Sequence, residues 1–194
     1  DLPGPQAGSR NRVGNGLPAA LLQRLELGCL IEHIRIISVI NPGAAALFRA
    51  ARARGQLTAM DVTWDVEGRW LSVIAPCLPH LAWFLPSVKE AARITGLEKP
   101  EDMAAFLRDR GAANVVIKLG ERGCYVLPAG RAGFVVPAFR VQVVDTTGAG
   151  DSFVAGFLAG LLRGWEPERS ARLACAAAAL NIQKVGATAG MPTF

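Results

Sequence analysis

Residues 143–157 read VVDTTGAGDSFVAGF and join an apolar segment to an apolar helix through a glycine-rich turn. Gly148 and Gly150 have no Cβ, so backbone N–H groups at this turn can converge on an anion that a larger side chain would obstruct. The start of the following helix adds unpaired N–H donors and a partial positive charge. The stretch therefore predicts a phosphate-binding turn between a strand and a helix.

A carboxylate, Asp151, stands in the first turn of this helix. Because an anion repels phosphate, its position favours a catalytic role, in which it accepts the proton of an attacking hydroxyl beside a transferring phosphoryl group. The alternative is a capped helix after a tight turn, with Asp151 complementing only the helix dipole. The length of the string favours the catalytic interpretation.

Residues 145–158 resemble the Asp-Thr-x-Gly-Ala-Gly-Asp signature, and the small-residue helix after it, of the ribokinase-like carbohydrate kinases, or PfkB family. The resemblance implies an ATP-dependent enzyme that transfers the γ-phosphoryl group to a sugar hydroxyl. It implies that Asp151 is the catalytic base and that the amides of Gly148, Ala149 and Gly150 form an anion hole. Two alternatives stay open: a non-catalytic nucleotide-binding module, and a kinase for a non-sugar alcohol such as a hydroxymethylpyrimidine.

A second motif lies at residues 84–91, which read FLPSVKEA. It resembles the family's Asn-x-x-Glu element, with Ser87 in place of Asn. The resemblance implies that Ser87 and Glu90 help to hold Mg²⁺, largely through water, and Glu90 offers the hard oxygen that Mg²⁺ prefers. A capping box between the same two residues fits equally well and is compatible with metal binding.

A third motif covers residues 115–125, which read VVIKLGERGCY as a buried strand, a turn and a second strand. It resembles the family's Thr/Lys-Leu-Gly-x-x-Gly segment and implies that Lys118 and Gly120 contact ATP. The alternative for Lys118 is a solvated charge at a strand end.

The segment 181–192, NIQKVGATAGMP, is similar to the family's closing loop beside the adenine pocket. The resemblance makes Asn181 and Gly186 candidate nucleotide-binding residues. In some members this loop also borders a monovalent-cation site, and Asp145 and Thr147 lie across from it. Potassium is therefore a further expected cofactor besides Mg²⁺.

Residues 60–70, MDVTWDVEGRW, resemble the strand-end Asp-x-Asn-x-x-Asp segment of these kinases. Its polar side chains could face the phosphates or the sugar, namely those of Asp61, Thr63, Asp65 and Arg69. Equally, Asp65 could start a turn while the two tryptophans pack nearby. None of them is assigned a catalytic role.

Strands alternate with helices along the chain, which predicts a three-layer α/β/α, ribokinase-like fold with a mostly parallel sheet and an antiparallel edge. The predicted strands cover 34–40, 57–62, 81–85, 114–119, 123–127, 132–136 and 139–144. The predicted helices cover 44–54, 68–75, 87–95, 101–110, 149–163 and 168–184. Ligands bind at the carboxyl ends of strands in such folds, so we expect the motifs near residues 87, 120 and 148 to meet at one edge.

The resemblance covers residues 34–194, which we expect to form the nucleotide-binding and catalytic domain. Nothing in residues 1–33 resembles the family's N-terminal lid and sugar-binding region, so we expect an N-terminally truncated fold with an atypical, poorly ordered arm. Sheet surface that the lid would cover favours a homo-oligomer.

The composition, with 51% hydrophobic and 19% charged residues among 194, predicts one globular domain. The net charge of +5 comes from scattered basic residues, which favours an anionic nucleotide over nucleic acid as partner. The four cysteines have no Cys-x-x-Cys spacing and are expected to be free thiols. With no apolar stretch long enough to span a bilayer and no signal-peptide pattern at the start, we expect no membrane partner and a cytoplasmic location.

Overall fold

The computed structural model describes the backbone of residues 32–36 and all of residues 43–191. Six strands form one sheet in chain order: β1 (Glu32–Ile36), β2 (Thr58–Val62), β3 (Trp83–Phe84), β4 (Asn114–Lys118), β5 (Cys124–Leu127) and β6 (Phe134–Val136). Strands β1 to β4 are parallel, whereas β5 and β6 are antiparallel to their neighbours. This confirms the mostly parallel sheet with an antiparallel edge.

Helices cover both faces of the sheet. Those of the described residues are α1 (Ala44–Ala53), α2 (Trp70–Ile74), α3 (Val88–Thr95), α4 (Pro100–Asp109), α5 (Ala149–Leu162) and α6 (Pro167–Asn181). Side chains from α1 to α4 share one hydrophobic cluster, and side chains from α5 and α6 share a second. The two clusters lie on opposite faces, which confirms the three-layer α/β/α architecture.

Strand β4 contributes side chains to both hydrophobic clusters. Val115 and Ile117 are buried in the cluster of α1 to α4, whereas Val116 between them is buried with α5 and α6. This alternation is the two-residue period of a strand. All three side chains are 0% exposed, and such burial contributes about 1.5–3 kcal/mol for each aliphatic side chain.

Helices α5 and α6 pack closely through small residues. A Cβ added to Gly156 would lie 2.9 Å from the Cα of Ala174, and one added to Gly160 would lie 2.9 Å from the Cα of Ser170. The residue numbers of the contacts run in opposite directions, so the helices are antiparallel. The small residues of α6 thus admit the α5 backbone, while Phe157 of α5 packs on Trp83 of the sheet.

The predicted strand at 139–144 is absent, and residues 137–143 have no regular secondary structure. Strand β6 ends at Val136, and Pro137 cannot donate a ladder hydrogen bond. Beyond this irregular stretch, the amides of Val144 and Asp145 donate to the carbonyl oxygen of Ile182, at 2.8 and 3.2 Å. The segment is therefore bonded to the end of α6 rather than to a strand.

Several predictions at the start of the chain lie outside the described residues, among them residues 1–31 of the predicted arm and 37–40 of the first predicted strand. Residues 32 and 33 belong to β1.

Cys77, Cys124 and Cys175 are free and buried, and burial raises the pKa of Cys77 to about 11. None of the helices described is long and apolar enough to cross a membrane.

Candidate active site

The signature turn is shaped by Gly148, which precedes the first residue of α5 and has a φ of +74°. A Cβ there would also lie 2.8 Å from the Cα of Ala187 in the closing loop. A side chain at this position would therefore be strained and would displace the closing loop. The glycine brings residues 145–151 and the closing loop into direct contact.

The first turn of α5 presents amide groups toward the exposed side of this turn. The amide of Ala149 donates to the carbonyl oxygen of Thr146 at 3.1 Å, and the amide of Ser152 donates to that of Gly148 at 2.8 Å. Between them, the amide of Gly150 belongs to the turn whose N–H groups have no acceptor within the helix. Gly150 itself is exposed, so an anion can approach its N–H.

Asp151 follows directly and is the acidic residue in the first turn of α5, where it is half-buried. Its place next to the Gly150 amide is the one that the sequence predicts for a base beside a phosphate group. Its catalytic role stays a prediction.

Lys118, at the end of β4, reaches the same turn. Its Nζ atom lies 3.5 Å from the position of a Cβ added to Gly150. The ammonium group also forms an ion pair with Asp61 at the end of β2, where Nζ is 2.5 Å from Oδ2. The Lys118 and Asp61 side chains are only 12% and 8% exposed, so Lys118 is not the solvated strand-end charge of the alternative interpretation.

Asp61 is the site residue that sequence reasoning left unassigned. Its Oδ1 atom accepts a hydrogen bond from the amide of Val62 at 2.9 Å, while Oδ2 faces Lys118. The available signal is its position near the end of a strand that neighbours β3 in the sheet. Nothing in the spacing of residues 61 and 118 reveals that they touch.

Ser87 lies beside Lys118, with which its backbone forms an isolated parallel bridge. Ser87 and Glu90 form the capping box at the start of α3: Ser87 Oγ accepts from the Glu90 amide at 3.3 Å, and Glu90 Oε2 accepts from the Ser87 amide at 2.7 Å. The structure therefore shows the capping role, and metal binding stays a prediction.

The residues present suit a Mg²⁺ ion that arrives with phosphates rather than a protein-held metal. Within residues 43–191, no three His, Cys, Asp or Glu side chains form a group that could hold a metal ion. One oxygen of Glu90 is occupied by the capping box, which leaves the other to accept from a metal-bound water. Mg²⁺ commonly binds in this way, through one or two carboxylates, waters and substrate phosphates.

A cavity of about 800 Å³ opens between the β4–β5 turn, the segment after β6 and helices α5 and α6. Its cationic lining comes from Lys118, Arg122 and Arg140, against the single carboxylate of Glu121. Its apolar lining comes from Phe139, Val141, Val143, Phe153, Ala178 and Ile182. Gly120, Ala149 and Gly150 also line the cavity, so the motifs near residues 120 and 148 meet here as predicted.

The closing loop is tied to the signature turn by side chains. Asp145 Oδ2 accepts from the amide of Gly186 at 2.8 Å, while its Oδ1 accepts from the amide and hydroxyl of Thr147 at 2.9 and 2.7 Å. The Gly186 amide, followed by the Thr147 groups, holds the pKa of Asp145 below its usual value. Asn181 is fully buried, and its Nδ2 donates to the carbonyl oxygen of Thr147 at 3.0 Å.

These bonds give Asp145, Asn181 and Gly186 a structural role. Neither Asn181 nor Gly186 is among the described residues that line the cavity. Nucleotide contacts of Asn181 and Gly186, and a monovalent-cation site at Asp145 and Thr147, stay predictions.

The segment after β2 forms a turn, as the alternative interpretation has it. The carboxylate of Asp65 accepts from the amides of Glu67 and Trp70, at 3.0 and 2.7 Å. The rings of Trp64 and Trp70 pack edge to face with centroids 5.1 Å apart. Arg69 forms an ion pair with Glu67 at 2.7 Å. Asp61, by contrast, contacts Lys118.

Comparison with known proteins agrees with this geometry. Residues 34–194 match the model of the pfkB family of carbohydrate kinases. The 2-dehydro-3-deoxygluconokinase of Bacillus subtilis is 37% identical over 130 residues, which cover 67% of this chain and 40% of the relative. The ribokinase of Haemophilus influenzae is 35% identical over 113 residues, which cover 56% of this chain and 37% of the relative.

A solved structure with the same fold is that of aminoimidazole riboside kinase from Salmonella enterica, complexed with aminoimidazole riboside and an ATP analogue. It superimposes with a TM-score of 0.74 at 28% identity, over 82% of this chain and 58% of the Salmonella chain. The chain thus spans less than two thirds of the length of these relatives. From the family match and the shared fold together, the chain belongs to the pfkB family of carbohydrate kinases.

Proposed function

We propose that the protein transfers the γ-phosphoryl group of ATP to a hydroxyl of a sugar or a sugar-like acceptor. The observation that carries this proposal is the meeting of the Gly150 turn, the half-buried Asp151 and the Lys118 ammonium group beside one cavity. Phosphate binding alone needs the amides and the cation. The carboxylate beside them is explained by an acceptor hydroxyl that must lose its proton.

The cavity supports ATP as the phosphoryl donor. Its apolar lining, which includes Phe139, Val143 and Ile182, suits a flat heterocyclic base, whereas Lys118 and Gly150 suit the phosphates. A volume of about 800 Å³ is within the usual range for small-molecule sites, roughly 300–1,000 Å³. Mg²⁺ would enter with ATP as part of the substrate, and its charge would offset that of the phosphates.

In the proposed reaction, Asp151 accepts the proton as the acceptor oxygen attacks the γ-phosphorus atom. The bond from that phosphorus to the bridging oxygen of ADP breaks, and no covalent intermediate forms on the protein. The amide of Gly150 and the ammonium group of Lys118 would stabilise the charge that spreads over the phosphoryl oxygens.

The test is ADP release from Mg-ATP with a panel of acceptors. The relatives direct the choice toward 2-dehydro-3-deoxygluconate, ribose, aminoimidazole riboside and fructoselysine, after the enzymes named for them, and a hydroxymethylpyrimidine tests the non-sugar alternative. We expect acceptor-dependent release that falls by about 10²–10⁴-fold in Asp151→Asn, with ATP affinity changed much less.

The matched control is Asp109→Asn, because Asp109 is an exposed carboxylate at the end of α4. This variant should keep wild-type turnover. Binding of ATP without ADP release from any acceptor would refute the kinase and favour a non-catalytic nucleotide-binding module. Full turnover in Asp151→Asn would refute the role of this residue.

A further inference from the structure

The ion pair between Lys118 and Asp61 is more buried than a surface pair. Its side chains are 12% and 8% exposed, compared with 58% and 76% for the Arg131–Glu166 pair. Removing two charges from water costs free energy that their mutual attraction does not always repay. Stability alone therefore does not explain why this ion pair is buried.

The position of the ion pair in the sheet offers an explanation. Asp61 is the penultimate residue of β2 and Lys118 is the last residue of β4, with β3 between the two strands in the sheet. The Lys118 side chain thus crosses the carboxyl end of β3 to reach Asp61, and its Nζ atom stays within 3.5 Å of the Cβ position of Gly150. The ammonium group is held between a carboxylate on one side and the first turn of α5 on the other.

The first turn of α5 is itself positive, because its N–H groups point outward and the helix dipole adds partial charge. A cation placed against a helix start is unfavourable unless an anion is also near. Asp61 provides that anion in the structure. A phosphate group that bound at Gly150 would provide a second one, within reach of the same ammonium group.

We infer that Asp61 is a positioning residue, which holds Lys118 against the signature turn so that its ammonium group contacts the phosphate chain of the nucleotide. Lys118 thereby recognises phosphate, and Asp61 acts only through Lys118. The inference rests on the proposed nucleotide site, but it does not depend on transfer to an acceptor.

Single and double substitutions test whether Asp61 acts through Lys118. Asp61→Asn leaves the cation but removes the carboxylate that holds it, so phosphate-bearing nucleotides should bind more weakly. Lys118→Met removes the cation itself. If Asp61 acts only through Lys118, adding Asp61→Asn to Lys118→Met therefore lowers the affinity for these nucleotides no further.

The experiment measures the binding of adenosine, ADP and a non-hydrolysable ATP analogue by calorimetry, with Mg²⁺ and without any acceptor. In Lys118→Met, we expect the affinities for ADP and the ATP analogue to fall by about tenfold or more, as for loss of a hydrogen bond to a charged group. The adenosine affinity should stay within about twofold, since the base wall is untouched. Asp61→Asn alone should lower these two affinities by about threefold or more, whereas in the Lys118→Met background it should change them by less than about twofold.

Asp109→Asn is the matched control, because Asp109 is exposed at the end of α4. If Lys118→Met does not fold, the comparison uses the double variant, which has no unpaired charge, and Lys118→Arg, which keeps the cation and should keep phosphate affinity within about threefold.

Equal loss of adenosine and ADP affinity in Lys118→Met or in the double variant would overturn the inference, because it would indicate a general disturbance of the cavity. Unchanged ADP affinity in Asp61→Asn, or an effect of Asp61→Asn as large in the Lys118→Met background as in the wild-type background, would overturn the role of Asp61. Binding of ADP with this pattern but no transfer to any acceptor would leave the inference standing and refute the kinase. A wild-type protein that binds neither phosphate-bearing ligand would refute both.

Discussion

Substitution of Gly150 by alanine should make the protein more stable and less active. Gly150 is the second residue of α5, is exposed and lines the cavity. A Cβ there would meet only the Nζ atom of Lys118, at an ordinary van der Waals distance of 3.5 Å. The backbone of Gly150 is helical and not in the left-handed region, so alanine fits it without strain.

The stability change follows from helix propensity. Alanine is favoured over glycine within a helix by about 0.5–1 kcal/mol, and no contact in the structure opposes this gain. For a chain of this size, 1 kcal/mol raises Tm by about 2–4 °C. We therefore expect Tm to increase by about 1–4 °C in Gly150→Ala.

The activity change has the opposite sign. The new methyl group would stand 3.5 Å from the Lys118 ammonium group, in the space where the proposed function places phosphoryl oxygens. A hydrogen bond needs the acceptor within about 2.7–3.2 Å of the donor nitrogen, and the methyl group denies that approach. Loss of one such donor lowers turnover by about 10²–10³-fold, and we expect a decrease of that order.

The assay pairs thermal unfolding with ADP release from Mg-ATP. Gly130→Ala is the control, since Gly130 has a φ of +67° and open space around its Cβ position in the β5–β6 turn. Backbone strain of about 1–2 kcal/mol should lower its Tm while turnover is unchanged. Wild-type turnover in Gly150→Ala would refute the approach of phosphate to this turn. A lower Tm would refute the interpretation of the contact at 3.5 Å.

Three further predictions concern the supports of the site. Gly156→Ala places a Cβ 2.9 Å from the Cα of Ala174 and should lower the free energy of unfolding by about 1–3 kcal/mol in urea denaturation; a stability equal to wild type would contradict the close α5–α6 contact. The Asp145 carboxylate should hold the closing loop fully at pH values above its usual pKa of 3.8, and should release the loop as the pH falls through its lower folded-state pKa, because the Gly186 amide stabilises the charged form. Hydrogen exchange of the Gly186 amide between pH 3 and 7 checks this: after correction for the intrinsic rate, the exchange should be flat above about pH 4. In Asp145→Asn, this pH dependence should be lost. Ser87→Ala removes the cap of α3 and should lower the free energy of unfolding by about 1 kcal/mol. If Ser87 also acts beside Mg²⁺, this variant should lose more turnover than a Gly156→Ala variant that is destabilised to the same extent.

The layered fold could be predicted because its signals are local. The strand Asn114–Lys118 is a short apolar run with β-branched residues, and helix Val88–Thr95 starts at a capping box and ends at a left-handed Gly96. Each of these features depends on neighbours within a few residues. Their alternation along the chain is enough to indicate a parallel sheet covered on both faces.

The errors arise where distant segments decide the structure. The apolar pattern of residues 139–144 is typical of a strand, but its end is bonded to Ile182 at the end of α6. The glycines of α5 indicate close packing without identifying the partner, which is α6. The contact of Asp61 with Lys118 joins residues 57 positions apart, and only the order of strands in the sheet makes them neighbours.

The antiparallel hairpin of α5 and α6 brings together two parts of the site that are close in sequence. Residues 144–148, at the start of the hairpin, are bonded to residues 181–187, at its end, through backbone and side-chain contacts. Such closure between segments near in sequence costs little chain entropy and favours early formation during folding. The proposed nucleotide half of the site is thus largely one module within residues 144–187, to which the sheet adds Lys118. Under the proposed function, substitutions elsewhere that alter the choice of acceptor would leave ATP binding undisturbed.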